Sequence, residues 1–266
     1  RRNFLVLAAA APAIDKVRTR PAGKVETVFK SPGPKPNGLQ ATRDGLWILD
    51  QGDNRAYLVT YQDGKVLRAL DTESDRGSGI TFDGEAIWIA STYNRKMIRA
   101  DAKTGKTLAS YDTPGAGVVK WSNSRSSPLA PPPAPRTRPV VAPGAERKAA
   151  APRQATGAHG LEFKDGRLWI AVPPSQTIYR VNPNGFAVEH KFPTAGDRPH
   201  GLGWEGKWLW CADSNLNAFF KHDPSTGEIL EKIQLDDKDP LPHGMTIWQG
   251  TLWYCDDVGV VCRLKM

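Results

Sequence analysis

The chain has 266 residues, 39% of them hydrophobic, with nine tryptophans, three cysteines and a net charge of +8. That length holds one large domain or two small ones, and no apolar run approaches the ~20 residues of a membrane-spanning helix. The surplus charge sits in two segments, +5 in residues 1–24 and +6 in residues 116–157, which leaves −3 for everything else. A nucleic-acid binder carries its positive charge on the folded face, so nucleic-acid binding is excluded as the main reading.

The chain opens with RRNFLVLAAAAPA, a basic pair, an apolar stretch and a small-x-small end. That pattern is an export signal over residues 1–13. Its Arg-Arg-x-Phe-Leu order is of the twin-arginine type, which predicts a periplasmic or secreted protein. Residues 14–23 read as a linker. KVETVF, residues 24–29, alternates as a strand does and has no partner nearby in sequence.

From residue 37 a repeat dominates. NGLQATRDGLWILDQG, SGITFDGEAIWIASTY, HGLEFKDGRLWIAVPP, HGLGWEGKWLWCADSN and HGMTIWQGTLWYCDDV align without gaps, with Gly38, Gly79, Gly160, Gly201 and Gly244 each nine residues before Trp47, Trp88, Trp169, Trp210 and Trp253. Each unit reads as four short strands joined by Asp-Gly, Thr-Gly or Asn-Gly turns. Four antiparallel strands every ~40 residues make a blade of a β-propeller. The expected fold is therefore all-β, a propeller of five four-stranded blades, or six if one is degenerate. The repeat glycines are 41, 81, 41 and 43 residues apart. The long interval contains residues 122–156, rich in proline and alanine, which read as a flexible insertion. Blades 1 and 2 then fall in residues 24–121 and blades 3 to 5 in 157–266. The last repeat lacks its outer strand, so residues 24–29 are expected to supply it and close the ring. The five tryptophans are expected to pack between blades.

In a propeller the first strand of each blade lines the central channel. The residue before each repeat glycine, Asn37, Ser78, His159, His200 or His243, therefore points into one mouth of that channel. The residue three after each tryptophan, Asp50, Ser91, Val172, Asp213 or Asp256, leaves the second strand on the same face. Three readings follow. His159, His200 and His243 bind a divalent metal; or His200 or His243 is a general base oriented by Asp213 or Asp256; or the ring is structural, its imidazoles bonding backbone groups. Asn37, Ser78, Asp50, Asn94, Arg198, Trp204 and Trp248 are candidate ligand contacts. His190 and His222, late in their repeats, are expected at the surface. The three cysteines are expected as buried thiols, a Cys255–Cys262 disulfide being the alternative.

PHGL…LWCADSNLNAFFKHDPSTGEIL and SGITFDGEAIWIASTYNRKMIRADAKTG resemble the virginiamycin B lyase group and the broader NHL and SMP-30/gluconolactonase propellers. The resemblance implies a metal-assisted lyase opening a cyclic ester, or a lactone hydrolase with a divalent metal at the channel mouth. Propeller glutaminyl cyclases are similar by blade number. The expected partner is a small polar ligand, with a monomer as the expected state. The alternative is a non-catalytic propeller that binds a ligand or a cell-envelope protein.

Overall fold

The computed structural model describes residues 14–121, 125–130 and 154–266. The expected export signal and most of the expected insertion lie outside the described residues. The rest forms a five-bladed propeller. Blade 1 holds Pro36–Thr42, Gly45–Asp50, Arg55–Val59 and Val66–Asp71, and blade 2 holds Gly79–Phe82, Ala86–Ser91, Lys96–Asp101 and Thr107–Asp112. Blade 3 holds Gly160–Lys164, Arg167–Val172, Thr177–Val181 and Val188–Pro193. Blade 4 holds Pro199–Glu205, Trp208–Asp213, Ala218–His222 and Ile229–Gln234. Blade 5 draws Met245–Trp248, Thr251–Asp256 and Val260–Lys265 from the C-terminus, and its outer strand, Glu26–Lys30, from the N-terminus. Glu26–Lys30 runs antiparallel to Val260–Lys265, as the truncated last repeat demands. No sixth blade occurs among the described residues.

The N-terminal segment does more than reach blade 5. Residues 14–23, read as a linker, contain a short 3-10 turn at Ile14–Lys16 and a strand at Thr19–Pro21. That strand adds in parallel to the outer edge of blade 4, with Thr19 opposite Lys232 and Pro21 opposite Gln234. Arg20 places its guanidinium on Glu231, at 3.2 and 3.0 Å. One segment thus covers two neighbouring sheet edges, which removes two exposed templates for strand addition.

The core is divided among the gaps between blades. Each repeat tryptophan is buried, and each belongs to an apolar cluster that spans two adjacent blades. Trp47 packs with Ile80 and Ile87, Trp88 with Leu161 and Leu168, Trp169 with Leu202 and Leu209, Trp210 with Met245 and Leu252, and Trp253 with Leu39 and Ile48. The cysteines are buried and unpaired. In the last hairpin Cys255 sits opposite Val261 and Tyr254 opposite Cys262. The one-residue offset sends the two thiols to opposite faces of the sheet, Cys255 toward blade 1 and Cys262 toward blade 4.

At the axis the first strands nearly touch. A Cβ on Gly38 would lie 2.9 Å from Ile80 N, one on Gly79 2.7 Å from His159 O, and one on Gly244 2.6 Å from Asn37 O. On Gly160 and Gly201 it would strike His200 O and Met245 N. Gly160→Ala is therefore expected to cost more than about 2 kcal/mol, the range of severe backbone clashes, read as a loss of denaturation midpoint. Gly84→Ala, at a turn with open space around it but φ of +100°, is expected to cost less, about 1 kcal/mol of backbone strain.

Candidate functional site at the channel mouth

Of the residues preceding the five glycines, the three histidines come into contact with one another. Asn37, Ser78, His159, His200 and His243 are all 6% exposed or less. The three imidazoles form a contiguous edge-to-face stack. Ring centroids are 4.7 Å apart for His159 and His200, at 80°, and 4.6 Å for His200 and His243, at 75°.

Their protons can be assigned from acceptor-only partners. His200 Nδ1 lies 3.1 Å from Arg198 O, and a carbonyl can only accept, so Nδ1 carries the proton. Ser214 Oγ, 3.0 Å from the same nitrogen, donates its own hydrogen to Pro242 O at 2.5 Å. His200 Nε2 is then an acceptor, and it receives His159 Nδ1–H at 3.1 Å. This leaves the His159 Nε2 lone pair buried with no partner. His243 Nδ1 donates to Leu241 O at 3.3 Å, and its Nε2 accepts from Arg198 Nη2 at 3.3 Å. Burial keeps all three rings neutral, with the charge of Arg198 adding to the effect: His159 is pushed down to about 3, and His200 and His243 also fall below the usual histidine range.

The aspartates expected to orient the histidines bond backbone instead. Asp213 accepts Arg198 N at 3.1 Å and Leu216 N at 3.0 Å. Asp256 accepts Leu241 N at 2.7 Å and Ser127 Oγ at 2.6 Å. Asp50 accepts Lys35 N at 2.6 Å and Gly52 N at 2.8 Å. Each carboxylate thus ties the loop leaving the second strand to the residue two before the mouth position. Ser91 does a similar job with Asp75 N at 2.7 Å, while Val172 has no group to offer. Burial raises Asp213 and Asp256 to about 6.

The three histidines are not brought together as one ligand set, because His159 and His200 bond each other. Among the described residues, the group able to hold a metal is His243, Asp256 and Asp257, whose ligand atoms lie within 4.8 Å of one another. His243 Nε2 is 3.7 Å from Asp257 Oδ2. The donor set fits a divalent cation: two carboxylates and one neutral imidazole, whose Nε2 lone pair faces Arg198 Nη2 and would have to turn from it to the ion.

Arg198 is at the mouth, its guanidinium 4.9 Å from the Trp121 ring centre and bonded to Arg125 O at 2.9 Å. Ser78 accepts from Gln51 Nε2 at 2.9 Å, and Asn37 Oδ1 is buried without a partner. Asn94 is exposed and caps its own turn through Lys96 N at 3.2 Å. Trp204 and Trp248 lie far along their first strands, opposite Leu209 and Thr251, and so near the other face of the propeller. His222, expected at the surface, is fully buried. Its ring packs 5.4 Å from Phe192 and donates to Gly227 O at 3.2 Å, because the hairpin after Ala218–His222 folds back over it.

Three features escaped the sequence reading. Asp257 follows the repeat position and has no counterpart pattern. Ser127, in the proline-rich stretch, reaches Asp256. Glu162, two residues after Gly160, is buried in the channel with Thr246 Oγ1 at 3.3 Å, and burial raises it to about 8. The last was available from the repeat, since residues two past each glycine also face the axis.

No protein-family profile matches the chain, and no curated protein is similar to it. Solved structures are similar in shape. Glutaminyl cyclase from Myxococcus xanthus superposes with a TM-score of 0.64 over 94% of this chain and 98% of that one, at 10% identity. Virginiamycin B lyase from Staphylococcus aureus follows at 0.49, 87%, 66% and 18%. The first likeness shows the five-bladed fold.

Buried histidines and buried carboxyls pull the pH dependence of stability in opposite directions. His159 and His222, at about 3 and 4 when folded, together with His200 and His243, contribute stability above their ordinary value near 6.5 that is lost as pH falls toward the folded values. Asp50, Asp213, Asp256 and Glu162, all raised by burial, contribute stability at low pH that is lost as pH rises through their folded values. Substitution isolates the histidine share: His222→Gln should lose less of its denaturant midpoint than wild type between pH 7 and about 4.5. A variant whose midpoint falls as steeply as that of wild type would contradict the assignment.

Proposed function

We propose that the propeller takes a small polar ligand at this mouth and opens it, as a lyase or lactone hydrolase does, with help from a divalent cation on His243, Asp256 and Asp257. One observation carries the reading: an imidazole lone pair and two carboxylates share a 4.8 Å cluster beside two buried acceptors, His159 Nε2 and Asn37 Oδ1, that lack partners. A polar ligand with donor groups would meet those acceptors. The cation would polarise a carbonyl oxygen as a Lewis acid. Arg198 would orient an anionic or carbonyl group, and its guanidinium would leave His243 Nε2 when the cation binds. His159 is too weak a base to remain protonated near neutrality, so it suits a ligand-accepting role better than proton storage.

A second reading has its own support. Ser127 bonds Asp256, and Arg198 bonds Arg125 O, so a stretch of this chain already occupies part of the mouth. A propeller that uses this face to hold a ligand or a protein of the cell envelope, without catalysis, accounts for that occupancy.

Metal analysis of protein purified without a polyhistidine tag separates the two. About one Mn²⁺, Zn²⁺ or Ca²⁺ per chain is expected after equilibration. Asp257→Asn, at a partly exposed ligand, should weaken binding at least about tenfold with unchanged melting. Wild-type protein that binds none of the three ions, or an Asp257→Asn protein that binds as well as wild type, would leave the non-catalytic reading in place.

A further inference from the structure

We infer a second ligand site on the opposite face, a groove between blades 3 and 4 that takes a ring-bearing carboxylate. The groove has a volume of ≈ 450 Å³ and is walled by Lys164, Arg167 and Arg180 on one side and by Trp204 and Lys207 on the other. It exists because blade 3 departs from a pattern kept by its neighbours.

In blades 2 and 4 the residue four past the repeat glycine is acidic. Asp83 Oδ2 accepts Trp88 Nε1 at 2.9 Å and Arg99 Nε at 3.0 Å. Glu205 Oε2 accepts Trp210 Nε1 at 3.0 Å and faces Lys221 Nζ at 2.6 Å. Arg99 and Lys221 are the cross-strand neighbours of those tryptophans. Blade 3 keeps the tryptophan and the cation, Trp169 opposite Arg180, but places Lys164 where the acid should be. The sign of the corner is reversed. Four cations, Lys164, Arg167, Arg180 and Lys207, then line a groove whose carboxylates are Asp165 and Glu189. Glu189 is shared by Arg167 at 2.7 Å and Arg180 at 3.5 Å.

The groove also holds a donor without a partner. Trp204 Nε1 is buried with no hydrogen bond, whereas Arg180 Nε faces Glu189 Oε2 at 3.5 Å. The indole N–H donates and cannot accept, so an occupant with acceptor oxygens suits it. The Trp204 indole adds an aromatic wall, standing edge-on to Trp169 at 5.4 Å with Lys164 Nζ 4.4 Å from its ring centre. An anion with a planar apolar body satisfies the charge, the donor and the indole together.

The test follows the Trp204 Nε1–H resonance by NMR while 2-naphthoate is added to the full chain. A saturable shift with Kd below about 1 mM is expected, and 2-naphthalenemethanol, the uncharged analogue, should bind at least about tenfold more weakly. Lys164→Glu supplies the acid found in blades 2 and 4 but gives up the bond from Lys164 Nζ to Gly206 O, so it should still unfold cooperatively, at a somewhat lower midpoint, and lose about tenfold or more in affinity. Lys207→Gln, at an exposed position, should lose less. No saturable shift up to about 5 mM, equal binding of the alcohol, or full affinity in Lys164→Glu would each overturn the inference.

Discussion

The structure depends on how closely five backbones meet at one axis. Where Gly38, Gly79, Gly160, Gly201 and Gly244 pass the neighbouring first strand, no Cβ fits, and the contacts run in a closed cycle from blade 1 through blade 5 and back. Ordinary side chains at those positions would hold the strands apart by the width of a methyl group. The ring would then widen, and the wedge-shaped gaps filled by the five tryptophans would no longer match their contents. The same closeness fixes the chemistry at the mouth. Side chains one residue before the glycines have nowhere to go except against each other, which is why His159, His200 and His243 stack within 5 Å.

Closure makes the axis contacts possible, and closure is secured at the outside of the ring. The N-terminal segment completes blade 5 through Glu26–Lys30 and edges blade 4 through Thr19–Pro21. Contacts between residues far apart in sequence thus hold together an arrangement whose individual blades are local hairpins. Inside, the blade gaps are sealed by one tryptophan each. Outside, cross-strand cations cover the tryptophan faces, as Arg180 does for Trp169 and Arg263 for Trp253. Those cations need acids: in blades 2 and 4 the position four past the glycine supplies one, whereas Arg263 takes Glu26 and Arg180 takes Glu189.

What could be read from the sequence was what the repeat imposes. A glycine and a tryptophan nine residues apart fix strand, turn and strand, and therefore the blade, the ring and the mouth positions. The missing outer strand of the last repeat pointed to residues 24–29 for the same reason. What escaped was set by single side chains outside the periodicity. Asp213 and Asp256 look like partners for histidine, yet their geometry is that of loop anchors; only coordinates distinguish a carboxylate aimed at an imidazole from one aimed at two amides. Trp204 and Trp248, expected as ligand contacts, lie three and four residues past their glycines, toward the far ends of Pro199–Glu205 and Met245–Trp248 and so away from the mouth. His222 was misjudged because lateness in a repeat does not guarantee exposure when the hairpin leaving the third strand folds over its last residue.

The mouth combines groups that would not coexist there by burial alone. Arg198 is largely desolvated, which favours its neutral form, while Asp257, Asp213, Asp197 and Asp256 hold the charge in place. Burial keeps His243 deprotonated; the guanidinium adds to that effect and supplies the donor that Nε2 requires. The two carbonyls at Arg198 and Leu241 fix the remaining tautomers, since neither can donate. Proton positions in the whole stack therefore follow from backbone placement, and backbone placement follows from the carboxylates of Asp213 and Asp256. These aspartates act on the site through the loops they hold: they set which imidazole nitrogens keep a lone pair, and so which ligand donors or cations the mouth can accept.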